Sequence, residues 1–249
     1  MNLLSSAALL LALALLPVSA TAAVTEEKTQ SMMQELQEPC RSEDWRVLLV
    51  NQWNPLPEDF AVTLKKLPGG LSVDERAYED LTSMLEDCKK AGLQPVVCSA
   101  YRDVATQKRL HKNKIARLRA AGYSQKAAEE EAVRWVAAPG TSEHHTGLAV
   151  DLVAAAYPYL NQRQETTPEQ VWLMEHCWEY GFVLRYPSDK SELTGVGYEP
   201  WHYRYVGRET ALAMREKGLC LEEWITLEKM EDLMESAEQQ EETADAVSS

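Results

Sequence analysis

The chain holds 249 residues, enough for one ordinary domain with one hydrophobic core once its two ends are set aside. Its formal net charge of −14 comes from 39 Asp and Glu against 25 Lys and Arg. That balance argues against nucleic acid as a partner, because phosphate binding needs clustered Lys and Arg.

Met1 to Ala23 reads as a secretory leader. Leu3 to Leu16 is an apolar run of h-region length, followed by Pro17 and the small residues Ala20-Thr21-Ala22. No Lys or Arg precedes the run, so an uncleaved anchor is the alternative, and membrane association is expected only in that case. The run is short for a membrane span. An exported, extracytoplasmic protein follows. Residues 24–39 are a polar linker, and residues 40–225 form a single domain. Across residues 222–249 ten Asp and Glu face Lys229 alone, so residues 226–249 are expected to be an acidic, disordered tail.

Five cysteines are present, Cys40, Cys88, Cys98, Cys177 and Cys220, with no CxxC spacing, which excludes a zinc ribbon. Cys88 and Cys177 fall at apolar helical positions and read as inert buried thiols. Cys40 and Cys220 flank the domain and are a candidate staple.

Trp45 to Val50 is a strand-like run, broken by the loop Asn51 to Pro57. Pro68-Gly69-Gly70 is a turn. Ser72-Val73-Asp74-Glu75 has capping-box spacing, and Tyr78, Leu81, Leu85 and Cys88 follow at helical intervals up to Gly92. Pro95 to Tyr101 is a strand. Residues 103–121 are a basic helix with Val104, Ile115 and Leu118 as its apolar positions. Ser124 caps a helix to about Ala137, with Ala128, Ala132 and Trp135 on one face. A strand runs from Gly147 to Val153. A helix starts at Thr167-Pro168-Glu169 and closes at Gly181. Phe182 to Arg185 and Trp201 to Val206 are strands separated by a loop over 186–198, and Arg208 to Lys217 is a helix. Without a regular βαβ alternation, these elements predict an α+β fold with a small antiparallel sheet flanked by helices.

Three stretches carry chemistry. The first, Ser142-Glu143-His144-His145-Thr146-Gly147-Leu148-Ala149-Val150-Asp151, holds two histidines and an aspartate seven residues after His144. Strand periodicity places Gly147, Ala149 and Asp151 on one face, leaving room for a metal and a substrate backbone. A catalytic zinc takes three protein ligands and keeps a fourth position open. The second stretch, Glu199-Pro200-Trp201-His202, offers a third ligand in His202 and a general base in Glu199. A bend at Pro200 would turn both side chains to one site. The third, Ser99-Ala100-Tyr101-Arg102-Asp103 with Gln107 beyond, ends a strand on an arginine able to clamp a carboxylate or hold an oxyanion.

Together these motifs resemble the VanY-type D-alanyl-D-alanine carboxypeptidases, zinc peptidases that share the fold of the Hedgehog signalling domain and the D,D-dipeptidases. The resemblance also takes in Leu48 to Asn51 and Asn54 to Pro57, and runs to about Trp224. It implies a zinc cofactor held by His144, Asp151 and His202, with Glu199 as catalytic base. It implies Arg102 as a substrate-contacting and catalytic residue, with Gln107 and Ser142 lining the substrate pocket. His145 falls on a non-ligand position of the pattern. The activity implied is removal of the terminal D-alanine from peptidoglycan stem peptides by metal-activated water attack. An L,D-carboxypeptidase or endopeptidase with the same site is the alternative, and a non-catalytic wall-binding module a more distant one. The module would be expected to have lost the base or a ligand, and none is missing.

Overall fold

The computed structural model describes residues 44–247. The leader, the linker and Cys40, with its suggested pairing to Cys220, lie outside the described residues. The chain divides into two units, residues 50–220 and, within the described range, residues 44–49 together with 221–247.

In the larger unit, β1 (Leu64–Lys66) and β2 (Ser72–Asp74) form a two-stranded antiparallel ladder. A second sheet contains β3 (Pro95–Ser99), β4 (Ala149–Ala154), β5 (Phe182–Leu184) and β6 (His202–Tyr205). Its order is β3-β4-β6-β5, and every neighbouring pair is antiparallel. The helices of this unit are α1 (Tyr78–Lys90), α2 (Val104–Ala120), α3 (Gln125–Ala132), α4 (Pro168–His176), the single turn α5 (Ser191–Thr194) and α6 (Arg208–Lys217). This is the α+β architecture that the sequence predicts.

The central strands β4 and β6 are buried along their whole length. Successive side chains of β6 alternate between two faces. Tyr203 and Tyr205 point one way, where their hydroxyls donate to Gln170 on α4 and Asp80 on α1 at 2.7 and 2.9 Å. His202 and Arg204 take the opposite face. The apolar side chains of α1 that turn inward are Leu81, Met84 and Cys88. Burial pushes the Cys88 and Cys177 thiols up to about 12, which leaves both protonated and unreactive.

Local signals were overridden in several places. Ser72 to Asp74 form β2 rather than a capping box. The Ser72 carbonyl accepts the Tyr101 N–H at 2.8 Å, and the Asp74 N–H donates to the Gly147 carbonyl at 2.9 Å. The Asp74 carboxylate instead caps a 3-10 turn, Glu75–Ala77, by accepting from Arg76 N at 2.9 Å, and α1 begins only at Tyr78. Val104, read as an apolar face residue of α2, is 53% exposed, and the buried residue of that helix is Gln107. The expected second helix stops at Ala132 rather than Ala137, although Ser124 caps it as read. One helical turn, α5, interrupts the loop over 186–198.

In the smaller unit, Trp45–Val47 is a 3-10 turn and not a strand, because the Asp44 carboxylate accepts from Arg46 N at 2.9 Å and caps it. Of the expected acidic tail, residues 226–247 are described, and they are part of the helix α7 (Leu221–Val247). Its sequence is rich in Glu, Leu, Met, Ala and Gln, all good helix formers. Ile225, Leu227 and Met230 are buried. Among the described residues, no helix is long and apolar enough to cross a membrane.

Gly147 has φ 74°, and a Cβ there would stand 2.7 Å from Asp74 N. It is therefore the point where the turn before β4 meets β2, and not part of an open strand face beside Asp151. Gly147→Ala adds both a collision and left-handed strain, and is expected to cost more than about 1 kcal/mol. Gly69→Ala, at φ 100° with nothing within 4 Å, carries the strain alone. Urea denaturation midpoints of the two variants check this; equal midpoints would show that the close approach does not matter.

Candidate metal centre and active site

The sheet register builds the site. Asp151 on β4 lies directly opposite His202 on β6, and on its other side opposite Ser99 at the end of β3. Directly opposed residues share a face, so the three side chains form one row. Ser99 reaches that row through a bulge: Val97 pairs with Leu152, yet Ser99 and not Cys98 pairs with Asp151. The extra residue, Cys98, is left over in the ladder.

His144 comes from a 3-10 turn, Glu143–Thr146, closed by Gly147. Its Nδ1 lies 2.7 Å from the Ala100 carbonyl and so carries the ring proton. Its Nε2 is left facing Asp151 Oδ2 at 3.3 Å. His202 presents Nδ1 to Asp151 Oδ1 at 3.0 Å. The two imidazoles stand edge to face, with centroids 4.9 Å apart. One ligand atom from each of His144, Asp151 and His202 falls within 4.8 Å of the others, and all three residues are buried. Two imidazole nitrogens and one carboxylate oxygen suit zinc.

His145 has no free nitrogen. Its Nδ1 donates to the Arg102 carbonyl at 2.7 Å, and its Nε2 accepts the Gly140 N–H at 3.2 Å. It fastens two loops together and stands apart from the ligand cluster.

Glu199 and His202 are brought to one place by a turn. The Glu199 carbonyl accepts the His202 N–H at 3.1 Å, with Pro200 at the second position, where its fixed φ is favoured. Glu199 Oε2 then lies 3.8 Å from His202 Nδ1. The bend that the sequence suggested at Pro200 is this turn.

Arg102 is held at three points. Its Nε donates to Ser99 Oγ at 3.0 Å, Nη1 to Gln107 Oε1 at 2.9 Å, and Nη2 to Asp151 Oδ2 at 3.1 Å. Gln107 is 1% exposed and its Nε2 donates to the Ala137 carbonyl at 2.8 Å, so it holds Arg102 in place. Ser142 is buried at the head of the 3-10 turn, and its side chain makes no capping hydrogen bond there. A cleft of about 1100 Å³ opens over the row, with Ser99, Tyr101, Arg102, Asp151, Glu199 and Trp201 in its wall.

Electrostatics sort the ionisable groups. Burial alone would raise Asp151, but His144 and His202 beside it hold its carboxyl well below the usual range. Burial, aided by Arg102, lowers His144 to about 4. Burial opposes the charge on His202 too, but the Asp151 and Glu143 carboxylates outweigh it and lift the ring to about 9. Burial raises Glu199 to about 8. The carboxylates that draw a proton to His202 would equally draw a cation, as the donor set requires.

Two contributors were not singled out from the sequence. Ser99 lies in the third stretch, and its place in the site comes from the bulge. Glu143 sits inside the first motif, between Ser142 and His144. It is fully buried, with Oε2 3.4 Å from His202 Nε2. Its position next to a histidine was the only available signal.

Two histidines and a carboxylate converging on a sheet, with a second carboxylate alongside and an open cleft above, define a metallopeptidase-type site. The sequence profile of the VanY family, D-alanyl-D-alanine carboxypeptidase, matches residues 70–208. A D-alanyl-D-alanine carboxypeptidase of Enterococcus faecalis is 39% identical over 208 residues, covering 83% of this chain and 75% of that protein. A vancomycin-resistance D,D-pentapeptidase VanY variant, solved in complex with Zn(II), is 41% identical with a TM-score of 0.68, covering 73% of this chain and 99% of the other. The LdcB LD-carboxypeptidase is 30% identical with a TM-score of 0.61, covering 72% and 86%. The chain belongs to the VanY D-alanyl-D-alanine carboxypeptidase family.

The contrast between the adjacent histidines can be tested. Zinc content after dialysis is expected to stay near one per chain in His145→Gln and to fall sharply in His202→Ala. Loss of metal in the first variant with retention in the second would reverse the assignment.

Proposed function

We propose that this protein is a zinc-dependent D,D-carboxypeptidase that removes the terminal D-alanine from peptidoglycan stem peptides. The observation that carries this reading is the buried cluster of His144, Asp151 and His202, with Glu199 and Arg102 beside it in the wall of an open cleft, in a chain of this family.

Zinc held by His144, Asp151 and His202 supplies Lewis acidity, which makes water a usable nucleophile near neutral pH. Glu199, on the cleft wall beside His202, accepts the proton of the attacking water. It then returns that proton to the amino group of the departing D-alanine. Burial already weakens its acidity, so it both takes and gives a proton readily. Arg102 is held rigid by Ser99, Gln107 and Asp151. It therefore offers a fixed cation to the negative charge of the substrate without reorganising. Lys114, Arg117 and Arg163 line the same cleft. In a chain of net charge −14 the substrate path is thus locally basic, which suits the carboxylates of a stem peptide.

Greater identity to VanY than to LdcB favours the D,D over the L,D reaction. The leader pattern over residues 1–23 and the location of peptidoglycan support action outside the cytoplasmic membrane.

Purified protein incubated with pentapeptide and tetrapeptide muropeptides, followed by mass spectrometry, tests the reading. One alanine is expected to leave the pentapeptide and none the tetrapeptide. Loss from the tetrapeptide alone would replace the D,D assignment with L,D, and loss from neither would remove the hydrolase reading. In Glu199→Gln, kcat/KM is expected to fall by at least about 10²-fold while bound zinc is unchanged. Retained turnover would take the base role away from Glu199.

A further inference from the structure

The Glu143 carboxylate is sealed from solvent, its side chain 0% exposed. A carboxylate in such a place needs cationic partners. It has two. Arg185 Nε and Arg204 Nη1 each donate to Oε1 at 2.8 Å, and both guanidinium groups are as deeply buried. The second oxygen, Oε2, faces His202 Nε2 at 3.4 Å.

The fold itself places these groups side by side. Arg204 follows His202 by two residues on β6 and so shares its face. Arg185 lies just past the end of β5, where its N–H donates to the His202 carbonyl at 3.1 Å. Glu143 is carried beneath both strands by the same 3-10 turn that delivers His144. Guanidinium groups remain charged, and two of them on one oxygen keep Glu143 ionised. An ionised carboxylate can only accept hydrogen bonds. Both nitrogens of His202 face such carboxylates, Nδ1 toward Asp151 Oδ1 at 3.0 Å and Nε2 toward Glu143 Oε2 at 3.4 Å. A cation among the clustered ligand atoms takes the lone pair of Nδ1, the nitrogen on the side of Asp151 and Glu199, and the remaining ring proton then sits on Nε2, facing Glu143. His144 has the opposite arrangement, with its proton fixed on Nδ1 by the Ala100 carbonyl.

We propose that Glu143, locked by Arg185 and Arg204, is a positioning residue that fixes His202 in the Nε2–H tautomer, presents Nδ1 to the metal and thereby sets zinc affinity. The proposal rests on the metal site described above. Glu143 touches neither substrate nor reacting atoms in this role. It acts through His202, as carboxylates hydrogen-bonded to the far nitrogen of a ligating histidine do, and loss of such a partner commonly weakens metal binding about 10–100-fold.

Two measurements test it. Zinc dissociation constants, read by competition with a chromophoric chelator, are expected to rise about 10–100-fold in Glu143→Gln, with zinc stoichiometry kept at one. An unchanged constant would overturn the proposal. Because that variant leaves two arginines without their carboxylate and can fail to fold, the second measurement uses the unaltered full chain loaded with zinc. Imidazole ¹⁵N chemical shifts are expected to show His202 bound through Nδ1 with a protonated Nε2, and His144 bound through Nε2 with a protonated Nδ1. Binding of His202 through Nε2 would overturn the role of Glu143 while leaving the metal site intact. A His202 ring that does not respond to zinc at all would overturn the metal site together with the proposal.

Discussion

The pairing of Asp151 with His202 across β4 and β6 is the constraint on which the site depends. A shift of one residue would send Asp151 and His202 to opposite faces. That register is enforced from the other side of the sheet. Tyr203 and Tyr205 are anchored there by hydroxyl hydrogen bonds to α4 and α1, and β4 is buried throughout. The apolar core therefore fixes which residues face the cleft, and the polar row inherits its geometry from the packing behind it. The bulge at Cys98 makes the same adjustment on β3, exchanging a thiol for the hydroxyl that holds Arg102.

Charge is buried here at a density that stability alone does not explain. Asp151, Glu143, Arg185 and Arg204 are all almost without exposure. Such groups seldom stabilise a fold better than apolar residues of the same size would. Each one instead touches an imidazole or holds a group that does. Arg102 and the two histidines grip Asp151, while Glu143 grips His202 from behind. These contacts hold both rings in one orientation toward the ligand cluster.

Much of the site was legible because its residues lie in short stretches with fixed spacing. The motif from Ser142 to Asp151 and the run from Glu199 to His202 contain the three clustered candidate ligands and the neighbouring carboxylate. Adjacent histidines are harder to separate. In a 3-10 turn, neighbouring side chains diverge sharply, so His144 turns to Asp151 while His145 turns to Gly140 and the Arg102 carbonyl. Family pattern, and not spacing, distinguished them. The partners of Glu143 come from 42 and 61 residues further along the chain, and no local signal announces them. The same holds for Ser72, whose capping-box context lost to long-range pairing. Residues after Leu221 misled in another way: charge suggested disorder, whereas helix propensity and buried Ile225, Leu227 and Met230 describe a helix.

The central claim is that one divalent cation sits at the crossing of β4, β6 and the 3-10 turn. Diffraction from zinc-loaded crystals, collected on both sides of the zinc absorption edge, tests it most directly. A single anomalous peak bonded to His144 Nε2, the Asp151 carboxylate and His202 Nδ1 is the predicted result. A peak bonded to His145, or none within reach of Asp151, would contradict the account.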